Sequence, residues 1–388
     1  MTRARVLFHV QHLLGIGHLK RAACLARAME GAGFSVTIVS GGHEVPGLDI
    51  GNAAFVQLSP MRAADVTFKS LVGADDREVG DELRFERRDR LLETFATLEP
   101  DIIVTELFPF GRRALRHELL PLLNAAKARA RPPAIVCSVR DILVPPSKPI
   151  RTTQMLALAR EYFDLVLVHG DPTLIPFERT FPLAHEIADR IRHTGYVVDP
   201  PSPGLVASGI GAGEVIVSAG GGALSEPLLR AALAARAMTT ARDRTWRLLA
   251  GPSLPESVFR DLTNEAEGGI IVERARPDFT AMLPNCHLSI SQGGYNTVMD
   301  VLAARCRAVI APYAGGKETE QTLRAELLAG RGALQLLHEN ALGPETLAEA
   351  VADALTGPEP TEAALDTGGA AASARALREL VDQRTGTA

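Results

Sequence analysis

The strongest constraint in this chain is a rhythm. Short apolar runs that end in Gly, His or Asp alternate with longer amphipathic stretches, beginning with ARVLFHV, HLKRAACLARAMEGAG and SVTIVSGG. An apolar run too short for a helix, followed by a stretch of helical period, predicts βαβ units and a parallel sheet buried on both faces. AAFVQLS, DIIVTELF, AIVCSVRD, DLVLVHGD and RHTGYVV continue the strand series, with helical stretches such as RRDRLLETFATLEP between them. A Pro-rich break, DPPSPG at 199–204, interrupts the rhythm. A second series then follows: EVIVSAGGG, RTWRLLAGP, GIIVERA, LSISQGG, AVIAPY and ALQLL. The expectation is an α/β chain of two doubly wound, Rossmann-like parallel-sheet domains, 1–198 and 205–360. A terminal helix within 361–388 should pack on the domains. Ligands in such folds bind outside the carboxyl ends of the strands, so the two domains are expected to face one another across a cleft. The stretch 62–82 is the least regular.

Composition narrows the function classes. Hydrophobic residues make up 46% of the 388 positions against 22% charged, enough to fill two cores and too apolar for a disordered chain. Net charge is −5, which removes the global positive field that non-specific nucleic-acid binding needs, so no nucleic-acid partner is expected. Cys24, Cys137, Cys286 and Cys306 lie far apart without a CxxC pair, and read as reduced thiols rather than a zinc or disulfide framework. No apolar run approaches the roughly 18 residues of a membrane span, and MTRARVLFHV turns straight into a strand pattern with no signal-peptide core. A cytoplasmic protein is expected, with peripheral docking on the inner membrane left open.

Glycine-rich turns after strands carry the chemistry. In HVQHLLGIGHLKR, Gly15 and Gly17 separate the first strand from the first helix, where backbone N–H groups can receive an anion or a developing oxyanion. The spacing is not GxGxxG, and no acidic residue ends the second strand, so a dinucleotide site is disfavoured. His18 opens the helix and is a candidate general base, because imidazole titrates near neutrality; a capping or packing histidine is the plainer alternative. In the second half, SQGGYNTVMD places Gly293 and Gly294 after a strand, Tyr295, Asn296 and Thr297 in a first helical turn, and Asp300 farther along. Amides, a carboxamide and a hydroxyl can hold a diphosphate there, and the carboxylate can accept from ribose hydroxyls. Glu320 and Gln321 in KETEQ suit sugar hydroxyls, and VSAGGG supplies Ser218, Gly220, Gly221 and Gly222. Each turn alone is satisfied by an ordinary βα connection that needs positive φ; three in one half are harder to assign that way.

In this order the motifs GIGH, GGG, SQGGYNTVMD and KETEQ resemble GT-B glycosyltransferases, in particular the glycosyltransferase family 28-like group of the lipid-intermediate N-acetylglucosaminyltransferase of peptidoglycan synthesis. The resemblance spans most of the chain. It implies a C-terminal domain that binds a nucleotide sugar, usually a UDP-sugar, and an N-terminal domain that binds the acceptor. Gly17, Ser218, Gly220 to Gly222 and the 293–297 turn then hold the donor. Asp300 resembles the ribose-binding acid, Glu320 and Gln321 the sugar-contacting pair, and the backbone at Ala275 in VERARPDF the base-contacting segment. The family usually shows a GGH loop and a Glu at the ribose position, where this chain has GIGH and Asp300. GIGHLKR is also similar to the loop of a UDP-sugar hydrolase of nonulosonic acid synthesis, so hydrolysis is an alternative to transfer. A UDP-sugar 2-epimerase shares the fold but would need carboxylates around C2 that the sequence does not offer. A non-catalytic nucleotide-sugar-binding protein is the reading from another class.

On the acceptor side, Glu106 and the pair Arg140 and Asp141 end predicted strands and are candidate acceptor-binding groups; helix capping for Glu106 and a surface ion pair for the others are the plain alternatives. Arg112, Arg113 and Arg116 follow FPFG, and residues 101–150 hold eight basic against four acidic groups. That stretch is either a solvated helix face or a surface for a phosphorylated or lipid-linked acceptor. The sequence does not name the acceptor, which can be a small molecule, a glycan or a lipid-linked sugar. No Asp-x-Asp follows a strand, so no metal and no cofactor beyond the UDP-sugar substrate is expected. The resemblance implies inversion at the anomeric carbon.

Overall fold

The structure, a computed structural model, describes residues 3–65, 70–144, 148–220, 226–252, 254–315, 319–360 and 365–386. It divides into two compact units, Met1–Val197 with Asp366–Ala388, and Val198–Leu365.

The first unit runs β1 (Arg5–Val10), α1 (Gly17–Gly31), β2 (Ser35–Ser40), β3 (Ala54–Gln57), a short hairpin of β4 (Arg62–Ala63) and β5 (Leu71–Val72), α2 (Asp81–Leu98), β6 (Ile102–Glu106), α3 (Arg116–Lys127), β7 (Ala134–Arg140), α4 (Pro149–Tyr162), β8 (Leu165–His169) and β9 (Ile191–His193). Seven strands form one sheet in the order β3-β2-β1-β6-β7-β8-β9, every pair parallel. The sheet is buried on both faces because alternate side chains enter different cores. Leu7, Ile103 and Ile135 pack with Leu91 of α2, Leu119 of α3 and Leu156 of α4. Their neighbours Val6, Phe8, Ile102 and Val104 pack with Leu19, Leu25 and Met29 of α1. That second core also takes Ala374, Ala376 and Leu377 from the last helix of the chain, so the C-terminus belongs to the first unit.

The second unit contains α5 (Pro203–Ala207), β10 (Val215–Ser218), α6 (Glu226–Ala235), β11 (Trp246–Ala250), α7 (Glu256–Glu265), β12 (Ile270–Arg274), α8 (Phe279–Met282), β13 (Leu288–Gln292), α9 (Tyr295–Ala304), β14 (Ala308–Ala311), α10 (Glu320–Ala329), β15 (Gln335–Leu336) and α11 (Pro344–Thr356). The returning helix is α12 (Gly369–Thr385). Its sheet is again wholly parallel, in the order β12-β11-β10-β13-β14-β15. Val215, Val217, Leu248 and Ile290 face a core shared with α6 and α11, while Ile216 and Leu249 face Met282 of α8.

Both sheets reverse their winding beside the first strand, between β1 and β6 in one unit and between β10 and β13 in the other. At such a switch point the connections leave the two strands on opposite faces, which opens a crevice at their carboxyl ends. The glycine-rich turns found in the sequence follow β1, β10 and β13, so three of the four switch-point strands carry one. The fourth strand, β6, ends in Glu106.

Candidate functional site

In the first unit the crevice is furnished with charged side chains. His18 is the second residue of α1, and Glu106 is the last of β6, the strand that pairs with β1. They meet: His18 Nδ1 lies 2.7 Å from Glu106 Oε1. Arg21, one helical turn after His18 and therefore on the same face, ion-pairs with the same carboxylate oxygen and lies 3.4 Å from the imidazole Nδ1. Glu106 is fully buried, Arg21 nearly so, and 18% of the His18 side chain stays exposed. Sequence reading placed His18 and Glu106 in different roles; the fold joins them across 88 residues.

The electrostatics follow from that burial. Burial lowers the His18 pKa to about 3, with Glu106 pulling upward and Arg112 and Arg140 pushing down, so the imidazole is neutral at pH 7. Burial alone would raise the Glu106 carboxyl, but His18, Arg21 and Arg112 outweigh it and hold the carboxyl well below the ordinary carboxylate value. An ionised carboxylate only accepts, so Nδ1 of His18 carries the ring proton and Nε2 keeps its lone pair. Burial together with Arg140 and Arg21 lowers Arg112 to about 10, against the pull of Glu106. It stays charged.

A second layer of buried polar groups supports this centre. His169 ends β8 and lies 2.7 Å from Ser138 Oγ and 2.9 Å from Thr194 Oγ1. Burial, helped by Arg21, lowers its pKa to about 3. Behind the turn that follows β1, Glu118 accepts both Arg87 Nε and Nη2 at 2.8 Å and sits 3.1 Å from His9 Nε2, while Arg87 also donates to Gln11 Oε1 and the Gly41 carbonyl. This network packs against the bare backbone of Gly41, where a Cβ would stand 2.1 Å from Gln11 Oε1 and 2.4 Å from Arg87 Nη2 and force those side chains to move. Asp141 is 1% exposed, so it is no surface ion pair; Tyr196 donates its hydroxyl to Oδ2 and the Ile142 amide reaches Oδ1. Arg140 instead lines a cavity with Arg112, Arg113, Arg116 and Arg151. Gly17 begins α1 beside His18.

Arg21, His169, Ser138 and Thr194 were missed in the sequence. The signals were present: HLKR puts Arg21 three residues from His18, and the strand LVLVH ends in a histidine as IIVTE ends in a glutamate.

In the second unit the crevice is made of backbone. Ser218 at the end of β10 lies in register with Ser291 of β13, so the turns after these strands are neighbours. Gly220 has φ +71, a left-handed conformation that favours glycine, and its Cβ position would lie 3.6 Å from Gln292 Oε1. Gly221 and Gly222 fall outside the described residues. Gly293 and Gly294 adopt negative φ, so the ordinary turn explanation fails for both. A Cβ on Gly293 would stand 3.0 Å from Pro312 Cβ, which is a packing reason. A Cβ on Gly294 would meet nothing within 4 Å, which leaves open space against the first turn of α9. Asn296, Thr297 and Asp300 are half-buried on that helix. Tyr295 is buried against the Arg324 guanidinium, 5.0 Å from the ring centroid. Glu320, 3% exposed, ion-pairs with the same Arg324 at 2.9 Å. Gln321 Oε1 accepts the Tyr313 amide and closes the turn after β14. Ala275 is exposed just past β12, its amide bonded to the Ala250 carbonyl.

Residues 215–381 match the glycosyltransferase family 28 C-terminal domain. This chain has the GT-B fold and carries a family 28 glycosyltransferase C-terminal domain over those residues. The solved structures it resembles include the calicheamicin glycosyltransferase CalG4, at TM-score 0.62 and 16% identity over 99% of each chain. MurG from Acinetobacter baumannii aligns at TM-score 0.55 and 15% identity, again over 99% of each. The spinosyn rhamnosyltransferase SpnG, solved with spinosyn aglycone, aligns at TM-score 0.59 and 20% identity over 99% of this chain and 96% of its own. At these identities the GT-B likeness concerns the fold, and the family match supports sugar transfer as the class of reaction. No described helix is long and apolar enough to cross a membrane.

Proposed function

We propose that this glycosyltransferase moves a hexose or N-acetylhexosamine from a UDP-sugar to an acceptor hydroxyl, without a metal ion and with inversion at the anomeric carbon. The first unit, 1–198 in sequence terms, takes the acceptor, and 205–360 takes the donor. The observation that carries the reading is the 2.7 Å contact between His18 Nδ1 and Glu106 Oε1. It fixes the tautomer in which Nε2 can receive a proton, and it holds an anion where the imidazolium will form. The acceptor hydroxyl passes its proton to His18 Nε2 as its oxygen bonds to the anomeric carbon. The bond from that carbon to the diphosphate oxygen breaks, and UDP leaves with the electron pair. Arg21 keeps Glu106 in place and ionised. On the donor side the diphosphate's charge would rest on the amides around Gly294 and the first turn of α9, with Asn296, Thr297 and Ser218 adding donors. Asp300 would accept from ribose hydroxyls. Open space at Gly294 suits a backbone approach to phosphate.

A screen of UDP-sugars with candidate acceptors, scored for both UDP release and glycosylated product in the presence of EDTA, tests the reading. Acceptor-dependent release that survives chelation is expected. Complete loss in EDTA restored by manganese or magnesium would reveal a metal requirement. Release that proceeds equally without any acceptor would make the protein a hydrolase, and binding without turnover would make it a nucleotide-sugar-binding protein.

A further inference from the structure

Beside His18 the first unit holds a cavity of about 210 Å³ whose lining includes five arginines, Arg112, Arg113, Arg116, Arg140 and Arg151, and not one acidic residue. The rest of the wall is largely apolar, with Phe108, Phe110, Ile142 and Met155 among its residues. The connection after β6 supplies Arg112 and Arg113, the start of α3 Arg116, the end of β7 Arg140 and the first turn of α4 Arg151. Among the described residues Arg112, Arg113 and Arg116 make no ion pair within 4.0 Å of a carboxylate, and the Nε atoms of Arg112 and Arg116 are buried without a hydrogen-bond partner. Leu107 and Arg112 bound the turn after β6 with φ of +68 and +55, left-handed backbone that disfavours residues bearing a side chain. A surface that merely needed solubility would spread such charges and interleave acids. Here like charges are concentrated around a concave apolar wall.

We propose that this cavity is an anion subsite for a phosphate monoester joined to an apolar group. Guanidinium forks bind phosphate oxygens in pairs, and three arginines with no carboxylate at ion-pair distance call for a dianion where one or two would satisfy a carboxylate. The apolar wall accounts for the group the phosphate is attached to. The place of the cavity adds a consequence that rests on His18 being the base: Arg112 and Arg140 line the cavity and also act electrostatically on His18. A phosphate held there positions a nearby hydroxyl of the same molecule at the imidazole. The acceptor is then a phosphorylated, partly apolar molecule.

Binding is measured apart from turnover, by calorimetry on the full chain with octyl phosphate, octanol, octanoate and inorganic phosphate. UDP is kept saturating so that the second unit's phosphate-binding turns are filled. Octyl phosphate is expected to bind at least tenfold more tightly than each of the other three, and Arg113→Ala/Arg116→Ala to weaken it tenfold or more. Arg116→Lys, which keeps the charge and loses the fork, is expected to give an intermediate loss with an unchanged melting temperature. Vesicles containing phosphatidic acid separate the sources: co-sedimentation lost in the double variant would identify the phosphate as a lipid headgroup, and its absence alongside octyl phosphate binding would identify a soluble phosphoester. Octyl phosphate that fails to bind, or binds the folded double variant as well as the wild type, overturns the proposal. Because no turnover is read, these outcomes stand whether or not His18 proves to be the base.

Discussion

The two switch points share one topology and are equipped in opposite ways. In the first unit the crevice is built of side chains: His18, Glu106 and Arg21 in mutual contact, with more arginines beside them. In the second it is built of main chain, with Gly220, Gly293 and Gly294 beside the start of α9. A parallel sheet supplies the same concave edge to both. What differs is whether the residues at strand ends bring titratable groups, which can move a proton, or withhold side chains, which lets a charged ligand reach amide dipoles. In the proposed function one unit transfers the proton and the other binds charge, and each half of that proposal can be broken separately.

The largest effect is expected at Glu106. Glu106→Ala removes one partner of the buried ion pair with Arg21, and such a loss destabilises by about 3 to 5 kcal/mol. Chemical denaturation should show that loss, whereas a change under 1 kcal/mol would mean the carboxylate is not what balances the charge. In the second unit, Asp300→Ala should weaken UDP binding about 10- to 150-fold, the equivalent of one charge-assisted hydrogen bond of about 1.5 to 3 kcal/mol. An unchanged titration in the folded variant removes Asp300 from the nucleotide site.

The paired glycines sharpen the backbone half of the comparison. Gly293→Ala meets Pro312 and Gln321 and should destabilise by about 1 to 3 kcal/mol. Gly294→Ala meets no protein atom within 4 Å, so its stability should shift by no more than about 0.5 kcal/mol while UDP affinity falls. Equal effects on stability, or intact UDP affinity in Gly294→Ala, would contradict the reading of that space.

The smallest expected effect is a separation of the units by acid. His18 and His169 are held neutral in the folded state with pKa values near 3, against an ordinary 6.5. As pH falls below about 6.5 the unfolded chain takes up protons that the folded chain refuses, so stability drains away between there and about 3. Glu106 and Glu118, both held below the ordinary carboxylate value, act in the same direction once pH passes below about 4.5. All four lie in the first unit. The single tryptophan, Trp246, is buried in the second. On acid titration far-ultraviolet circular dichroism should therefore change at a higher pH than tryptophan fluorescence, and coincident transitions would count against a concentration of acid-sensitive groups in the first unit.

Much of this was legible in the sequence because it depends on local pattern. Runs such as SVTIVS and AIVCSVR announce strands buried on both faces, and the glycines of SQGGYN mark a turn before a helix whatever else the chain does. The meeting of His18 with Glu106 was not legible, since it depends on β6 being laid beside β1 across 88 residues, which strand order alone determines. The surroundings of Glu320 were equally hidden: its place after a strand suggested a sugar contact, and nothing in KETEQ itself reveals that the carboxylate is buried and paired with Arg324, whose guanidinium also lies over the Tyr295 ring. The arginine cavity was visible only as a local excess of basic residues, because concavity arises from the turn after β6 meeting the end of β7 and α4.

The most direct test of the division between the units is one preparation of His18→Ala, measured for both UDP affinity by calorimetry and turnover per folded molecule. The account predicts UDP binding equal to that of the wild type and kcat lower by about 10²- to 10⁴-fold, the usual contribution of a positioned general base. Unchanged turnover per folded molecule, or UDP affinity lost together with activity, would contradict it.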